Sequence, residues 1–346
     1  MTKLITSSLL ILTTLITLTC CEDDPQVPVT VQNGPPGVYV GGQGETANAM
    51  LWKDEVSTIL TGGGNSRAEY IFVNGNDIYL AGKTTLLNGN FSTLVYWKNG
   101  SINTIQDLNS ENAFALLKGF TVSGNDLHAV WSENSGRYSI IKYWKNGNVT
   151  SITDAAHYAI ATSLVVYGND VYIGGNEDEN GLFVAKYWKN GKAFSLSDGK
   201  TNAYANSIFI EKGNVYVAGM VSTSQDISKD VQLARYWKNS IPVDLSDGSK
   251  NAWANSIFVD ESGVYVAGTE MTTNYSVAKY WKNEVAHSLT DGTISSSSSQ
   301  IFISNNDIYV VGRDGTSGTI WKNGTKLAPF DTNNPALLPL CISVIK

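Results

Sequence analysis

Arginine, histidine and cysteine are scarce in this 346-residue chain, and each scarcity closes off a class of function. There are four arginines, Arg67, Arg137, Arg235 and Arg313, and the formal net charge is -7, so nucleic acid is not expected as a partner. The three histidines, His128, His157 and His287, lie far apart without metal-ligand spacing and are expected to be core or surface residues. Two of the three cysteines are adjacent, at 20 and 21, which leaves Cys341 alone in the body of the chain and rules out a disulfide framework. A single cysteine in an apolar strand is expected to be a small buried hydrophobe. Glycine-rich phosphate loops, nucleophile elbows and paired catalytic carboxylates are also missing, and no cofactor is expected.

What the chain does have is repetition. A variant of Tyr-Trp-Lys-Asn-Gly occurs seven times, with Trp at 52, 97, 144, 188, 237, 281 and 321, and successive Trp residues are 40 to 49 residues apart. A Val-Tyr-Val-Ala-Gly-like run precedes each one. That period fits four-stranded propeller blades and exceeds the 34 residues of a tetratricopeptide unit. Within one unit, short runs rich in β-branched and aromatic residues at Ile208 to Ile210, Val215 to Ala218, Ala234 to Trp237 and Val243 to Leu245 alternate with Gly, Asn and Asp. These predict four strands, A to D, and the fold class is all-β, a seven-bladed β-propeller.

Turn chemistry orients the blades. Gly-Asn-Asp between A and B and Lys-Asn-Gly between C and D supply the positive φ of tight hairpins, so both sets of short turns share one face of the disc. The B-to-C and D-to-A connections share the other face and are expected to be longer and more variable, the usual setting for binding residues. Cys341-Ile-Ser-Val-Ile-Lys346 reads as an orphan A strand that completes the first blade and closes the ring.

Residues 1–21 read as a targeting segment, with Lys3, an apolar run and Cys20-Cys21, and residues 22–36 as an acidic, proline-containing linker to the propeller of residues 37–346. Leu18-Thr19-Cys20-Cys21 resembles a bacterial lipobox, implying lipidation at Cys20 or Cys21. The following Glu22-Asp23-Asp24 resembles a surface-export signal of Bacteroidota lipoproteins. Together these resemblances imply an outer-membrane lipid anchor and exposure on the cell surface. The Tyr-containing strands ending in Gly-Gly, Val38 to Gly42 and Val171 to Gly175, resemble a kelch-like architecture, although here the Trp directly follows the Tyr of the next strand. The Gly-His and Trp-Asp marks of the WD40 repeat are absent, and Ser195 to Thr201 departs from the sialidase Asp-box. The mature chain is most similar to bacterial lipoprotein propellers carrying such repeats, a resemblance that brings no catalytic residue with it.

Residues repeated in every blade are expected to be frame. The seven Trp are core payload, and Asp107, Asp154, Asp198, Asp247, Asp291 and Asp331 each close a turn onto its own backbone. Binding is expected where the repeat breaks. Trp131 stands where other blades end strand B in Gly, and Arg67, Tyr204 and Trp253 stand just before strand A. These four are the candidate ligand residues for a glycan or an envelope protein bound by a monomeric propeller. A carbohydrate-active enzyme using Glu69, Glu133 or Glu270 is the alternative, and a structural subunit of a surface complex is a third reading. Asn176, Asp178 and Asn180 match the first half of a calcium loop, but Val184 and Tyr187 break the second half.

Overall fold

The computed structural model describes residues 35–44, 47–54, 56–60, 65–85, 92–108, 115–226, 228–327 and 338–345. The signal segment, Cys20, Cys21, nearly all of the linker and Asp331 lie outside the described residues. The strands form seven four-stranded antiparallel sheets. Blade 1 contains β1 (Gly37–Gln43), β2 (Ala49–Lys53) and β3 (Val56–Ile59). Blade 2 contains β4 (Asn65–Asn74), β5 (Asp77–Thr85), β6 (Ser92–Lys98) and β7 (Ser101–Asp107). Blade 3 contains β8 (Leu116–Ser123), β9 (Asp126–Ser135), β10 (Tyr138–Lys145) and β11 (Asn148–Ser151). Blade 4 contains β12 (Ala159–Tyr167), β13 (Asp170–Glu179), β14 (Leu182–Lys189) and β15 (Lys192–Ser195). Blade 5 contains β16 (Ala203–Glu211), β17 (Asn214–Ser222), β18 (Gln232–Lys238) and β19 (Ile241–Asp244). Blade 6 contains β20 (Ala252–Asp260), β21 (Gly263–Met271), β22 (Ser276–Lys282) and β23 (Val285–Ser288). Blade 7 contains β24 (Ser296–Ser304), β25 (Asp307–Asp314), β26 (Ser317–Lys322) and β27 (Thr325–Lys326).

The last strand, β28 (Leu338–Ile345), pairs with β1 from Gly37↔Ile345 to Gln43↔Leu338 and supplies the innermost strand of blade 1. The first and last described strands therefore share one sheet, and the ring is closed as the orphan strand predicts.

Seven apolar clusters hold the disc together, one at each blade-to-blade interface, and each contains one of the seven repeated Trp residues. Trp237 of blade 5, for example, is buried with Tyr172, Ala185 and Tyr187 of blade 4. The repeat places a Trp wherever one sheet must fill the gap to the sheet before it.

The rest of the Tyr-Trp-Lys-Asn-Gly motif has a different task. In blade 4 the C–D turn places Asn190 at φ 50°, where its Oδ1 accepts from the Val171 N–H at 2.8 Å and its Nδ2 donates to Asp170 at 2.7 Å. Lys189 closes the same unit with an ion pair to Asp170 at 2.6 Å, and its Nζ lies 5.1 Å from the centre of the Tyr172 ring. Blade 2 builds the same clamp from Asn99, Asp77, Lys98 and Tyr79, and blade 7 from Asn323, Asp307, Lys322 and Tyr309. Two hairpins that are not consecutive in the chain are thereby locked to each other on the short-turn face.

Two sequence expectations need correction. The fourth strand of blade 5 is Ile241–Asp244, not Val243 to Leu245, because the two-residue turn Asn239-Ser240, both at positive φ, restarts pairing at once. The B-to-C connections are not uniformly long. In blades 3, 4 and 7 they are two-residue hairpins containing Gly136, Gly181 and Gly315, all at positive φ, while blade 5 spans residues 223–231. The variable face owes its variety to a few loops and to what lies at the start of each inner strand.

Candidate functional site at the variable-loop mouth

Each inner strand enters the ring from the variable-loop face, and all seven carry a β-bulge at equivalent places against their neighbours. The residue two places before the skipped one turns its carbonyl toward the recurring Gly of the second strand. A Cβ added to Gly219 would sit 1.8 Å from Tyr204 O, and one added to Gly82 2.0 Å from Arg67 O. That close approach is the reason for the recurring Gly. The skipped residues are partly frame: the Nδ2 groups of Asn206 and Asn255 donate to Ala254 O and Ser298 O of the next blade at 2.9 and 2.8 Å. Below them the inner strands surround an axial cavity of about 170 Å³, with Phe209, Phe258 and Phe302 in successive ring contact at 4.9 and 5.6 Å.

Just outside the bulge, one cross-strand pair per blade sits at the mouth, and these pairs differ. They are Leu338/Gln43, Arg67/Lys83, Leu116/Ser132, Ile160/Asn176, Tyr204/Met220, Trp253/Thr269 and Ser297/Arg313 in blades 1 to 7. The aromatics fall in adjacent blades 5 and 6, while the cations fall in blades 2 and 7, on either side of blade 1.

Of the four ligand residues predicted from sequence, three lie in this layer: Arg67, Tyr204 and Trp253, all partly exposed. Trp131 does not join them. It is 1% exposed inside the interface of blades 2 and 3, with its Nε1–H donated to Glu133 at 2.7 Å. A break in the repeat is there used for packing, since a large ring in place of Gly fills the interface.

Two aromatics that the repeat comparison passed over belong to the site. Phe183 lies 5.3 Å from the Tyr204 ring and 5.9 Å from Tyr158, which is 38% exposed in the connection leading to β12. Tyr158, Phe183 and Tyr204 thus form a continuous row across blades 4 and 5. Burial pushes the Tyr204 phenol above its ordinary pKa, so it stays a neutral donor at any physiological pH. The signal in the sequence was weak, because Phe183 stands where the next two blades carry Gln232 and Ser276.

Across the mouth, Gln43, Asn65, Ser66, Arg67, Lys83 and Thr85 line a polar pocket of about 170 Å³ between blades 1 and 2. Gln43 Nε2 donates to Asn65 Oδ1 at 2.9 Å and to Ser66 O at 3.1 Å, which fixes its wall. Arg67 is paired with Glu69, and its Nε–H is enclosed without an acceptor among the described residues. Burial, together with the Arg67 charge, holds the Lys83 ammonium below its usual range.

The three carboxylates of the enzyme reading are spread over three blades. Glu69, Glu133 and Glu270 belong to blades 2, 3 and 6, and each faces a cation of its own blade: Arg67, Lys142 at 3.7 Å and Lys279 at 2.7 Å. Burial raises the Glu69 pKa against the opposing pull of Arg67. The calcium-loop match also fails on geometry. Asn176 is a buried β13 residue whose Oδ1 accepts from Ala205 N at 2.7 Å, Asp178 Oδ1 accepts from Gly181 N at 3.2 Å, and Asn180 sits in the hairpin turn. The strand-D aspartates behave as turn residues: Asp154, Asp198, Asp247 and Asp291 each accept the amide two residues on at 2.9 to 3.2 Å.

No protein-family model matches the chain, and no curated protein matches it. Solved structures do. The chain is similar to a prolyl endopeptidase at 11% identity and TM-score 0.51, covering 89% of this chain and 50% of that one. It is similar to the acylaminoacyl peptidase of Pyrococcus horikoshii at 11% identity and TM-score 0.51, covering 86% of this chain and 51% of that one. It therefore spans about half the length of either peptidase. A protein of a nidogen/laminin complex matches at 9% identity and TM-score 0.44, covering 87% of this chain and 97% of that one. At these identities the likeness concerns the fold alone, that of a β-propeller.

Proposed function

We propose that this propeller is a recognition protein, held by an N-terminal lipid on the outer surface of a bacterial cell, that binds a glycan at its variable-loop mouth. The aromatic row Tyr158–Phe183–Tyr204, with Trp253 at the position of Tyr204 in the next blade, carries the reading. Partly exposed rings are suited to stack on the apolar faces of sugar rings, and the phenol oxygens of Tyr158 and Tyr204 can bond to sugar hydroxyls. Glu69, Glu133 and Glu270 are each engaged by a cation of their own blade, which favours binding over hydrolysis, a reaction that needs an acid and a second free carboxylate across one bond. The anchor rests on the Leu18-Thr19-Cys20-Cys21 segment of the sequence.

The test is a glycan panel screened with the full chain in mild detergent, beside the Tyr204→Ala, Trp253→Ala variant. Binding that disappears in the variant supports a sugar site at the mouth. Binding that persists places it elsewhere, and a panel without any binder transfers the reading to an envelope protein.

A further inference from the structure

Opposed Arg67 and Lys83 are unusual as frame. They are direct cross-strand partners in β4 and β5, an arrangement in which like charges repel. In the corresponding pairs of blades 4 to 7 a cation never faces a cation: the partners are Ile160/Asn176, Tyr204/Met220, Trp253/Thr269 and Ser297/Arg313. Two other mouth-side lysines have a carboxylate in hand, Lys186 in Glu177 and Glu179 and Lys279 in Glu270. Lys83 makes no ion pair among the described residues. Glu69 is committed to Arg67 and acts on Lys83 only at longer range. Among the described residues, two cations against one carboxylate leave about one positive charge at a pocket whose other walls are the amides and hydroxyls of Gln43, Asn65, Ser66 and Thr85.

We infer that the pocket of Arg67 and Lys83 binds the carboxylate of an acidic sugar, so that the glycan recognised at the mouth is a uronate-type one. The inference rests on the glycan reading for the sugar and on the pocket itself for the charge. A carboxylate carries the single negative charge that matches the site, and the partly exposed Arg67 guanidinium and the Lys83 ammonium that line the pocket offer it charge-assisted hydrogen bonds. The pocket volume admits the carboxylate and the edge of the ring that bears it, with Asn65 and Thr85 available to the neighbouring hydroxyls. Phosphate, with more charge than the site offsets, fits less well.

The experiment titrates the full chain in detergent with trigalacturonate, with neutral maltotriose, with sodium glucuronate and with inorganic phosphate. Calorimetry gives the affinities, and the Arg67 Nε–H resonance, one of only four arginine signals, reports occupancy without any substitution. The expected result is that trigalacturonate binds at least about tenfold tighter than maltotriose and shifts the Arg67 signal, as a charged hydrogen bond and ion pair would require. Lys83→Gln, which leaves the Arg67–Glu69 pair in place, should abolish that preference with the melting temperature unchanged. Equal binding of both trisaccharides with no Arg67 shift overturns the carboxylate pocket while the glycan reading survives. If no oligosaccharide binds but glucuronate shifts Arg67 in a Lys83-dependent way, the pocket stands and the glycan reading falls. Phosphate binding as tightly as glucuronate overturns the assignment to a carboxylate, and silence from every probe removes both.

Discussion

The two faces of the disc follow opposite rules. On the short-turn face, blades 2, 4 and 7 carry the same clamp atom for atom: an Asn at positive φ, the amide it accepts from, an Asp, a Lys and a Tyr ring. On the variable-loop face the corresponding pairs run from Arg67/Lys83 to Tyr204/Met220 and Trp253/Thr269. Closing a ring requires every blade to present the same edges to its neighbours, so whatever repeats is explained by that requirement. A ligand without sevenfold symmetry can be read only by residues that differ between blades. The aromatic half of the mouth, in blades 4 to 6, and the cationic pocket between blades 1 and 2 are such differences.

If repeated features are frame, breaking them should cost stability, and the largest loss should follow from reopening the ring. Deletion of residues 338–346 removes β28, leaves β1 with an unpaired inner edge and strips Cys341, Ile342, Val344 and Ile345 from the clusters flanking blade 1. The expected outcome is loss of the cooperative thermal transition of the whole disc, followed by circular dichroism. A truncated chain that melts as one unit near the intact temperature would show that closure is not needed.

Next in size is Trp237→Ala, which empties a fully buried site between blades 4 and 5 and should cost about 3–5 kcal/mol in urea unfolding. His128 provides a pH-dependent comparison inside one blade. It takes the place of the Tyr found at this position in the other six blades, contacts the Tyr143 hydroxyl at 2.5 Å and has its Nε2 enclosed without a partner among the described residues. Burial pulls its pKa from 6.5 to about 4. The unfolded chain therefore takes up a proton below pH 6.5 that the folded chain refuses until about pH 4, and stability should fall across that window by about 3 kcal/mol. His128→Phe should flatten this part of the unfolding free energy against pH. Below it, the short-turn aspartates Asp77, Asp126 and Asp170, each paired with a Lys and an Asn of its own blade, follow. Their pKa values are lowered chiefly by hydrogen bonds from Lys98, Lys145 and Lys189, so their stabilisation is present above the ordinary carboxylate range and lost on further acidification.

Asn190→Ala is the smallest of the frame tests. It forces a Cβ residue without a local hydrogen bond into φ 50° and removes the bonds to Val171 N and Asp170, which together should cost about 2 kcal/mol. Asn190→Gly, which tolerates the backbone, should recover part of that loss and so separate conformation from hydrogen bonding.

The sequence exposed the frame well because a frame is what a repeat records. Seven Trp, the paired turn motifs and the orphan strand at Cys341 sufficed for blade number, turn faces and ring closure. The site was only half legible. Arg67, Tyr204 and Trp253 were visible as variation at a recurring position, but so was Trp131, which variation alone could not separate from them because burial depends on the neighbouring blade. Phe183 and Tyr158 escaped notice since they join Tyr204 through space, from a strand start and a loop. Lys83 became notable only when the register placed it opposite Arg67.

The last test sets the two faces directly against each other. Tyr204 and Trp253 are partly exposed, and removing their rings leaves the interface clusters intact, so the double alanine variant should lose only about 1 kcal/mol of stability. Its glycan affinity should fall by at least about tenfold, because stacked rings contribute most where both partners give up water. Trp237→Ala, assayed well below its melting temperature, should show the reverse: a large stability loss with binding retained, since its ring is buried between blades 4 and 5. If both variants lose stability and binding in parallel, the mouth aromatics are frame like the rest. The division between repeated and unrepeated residues would then say nothing about function.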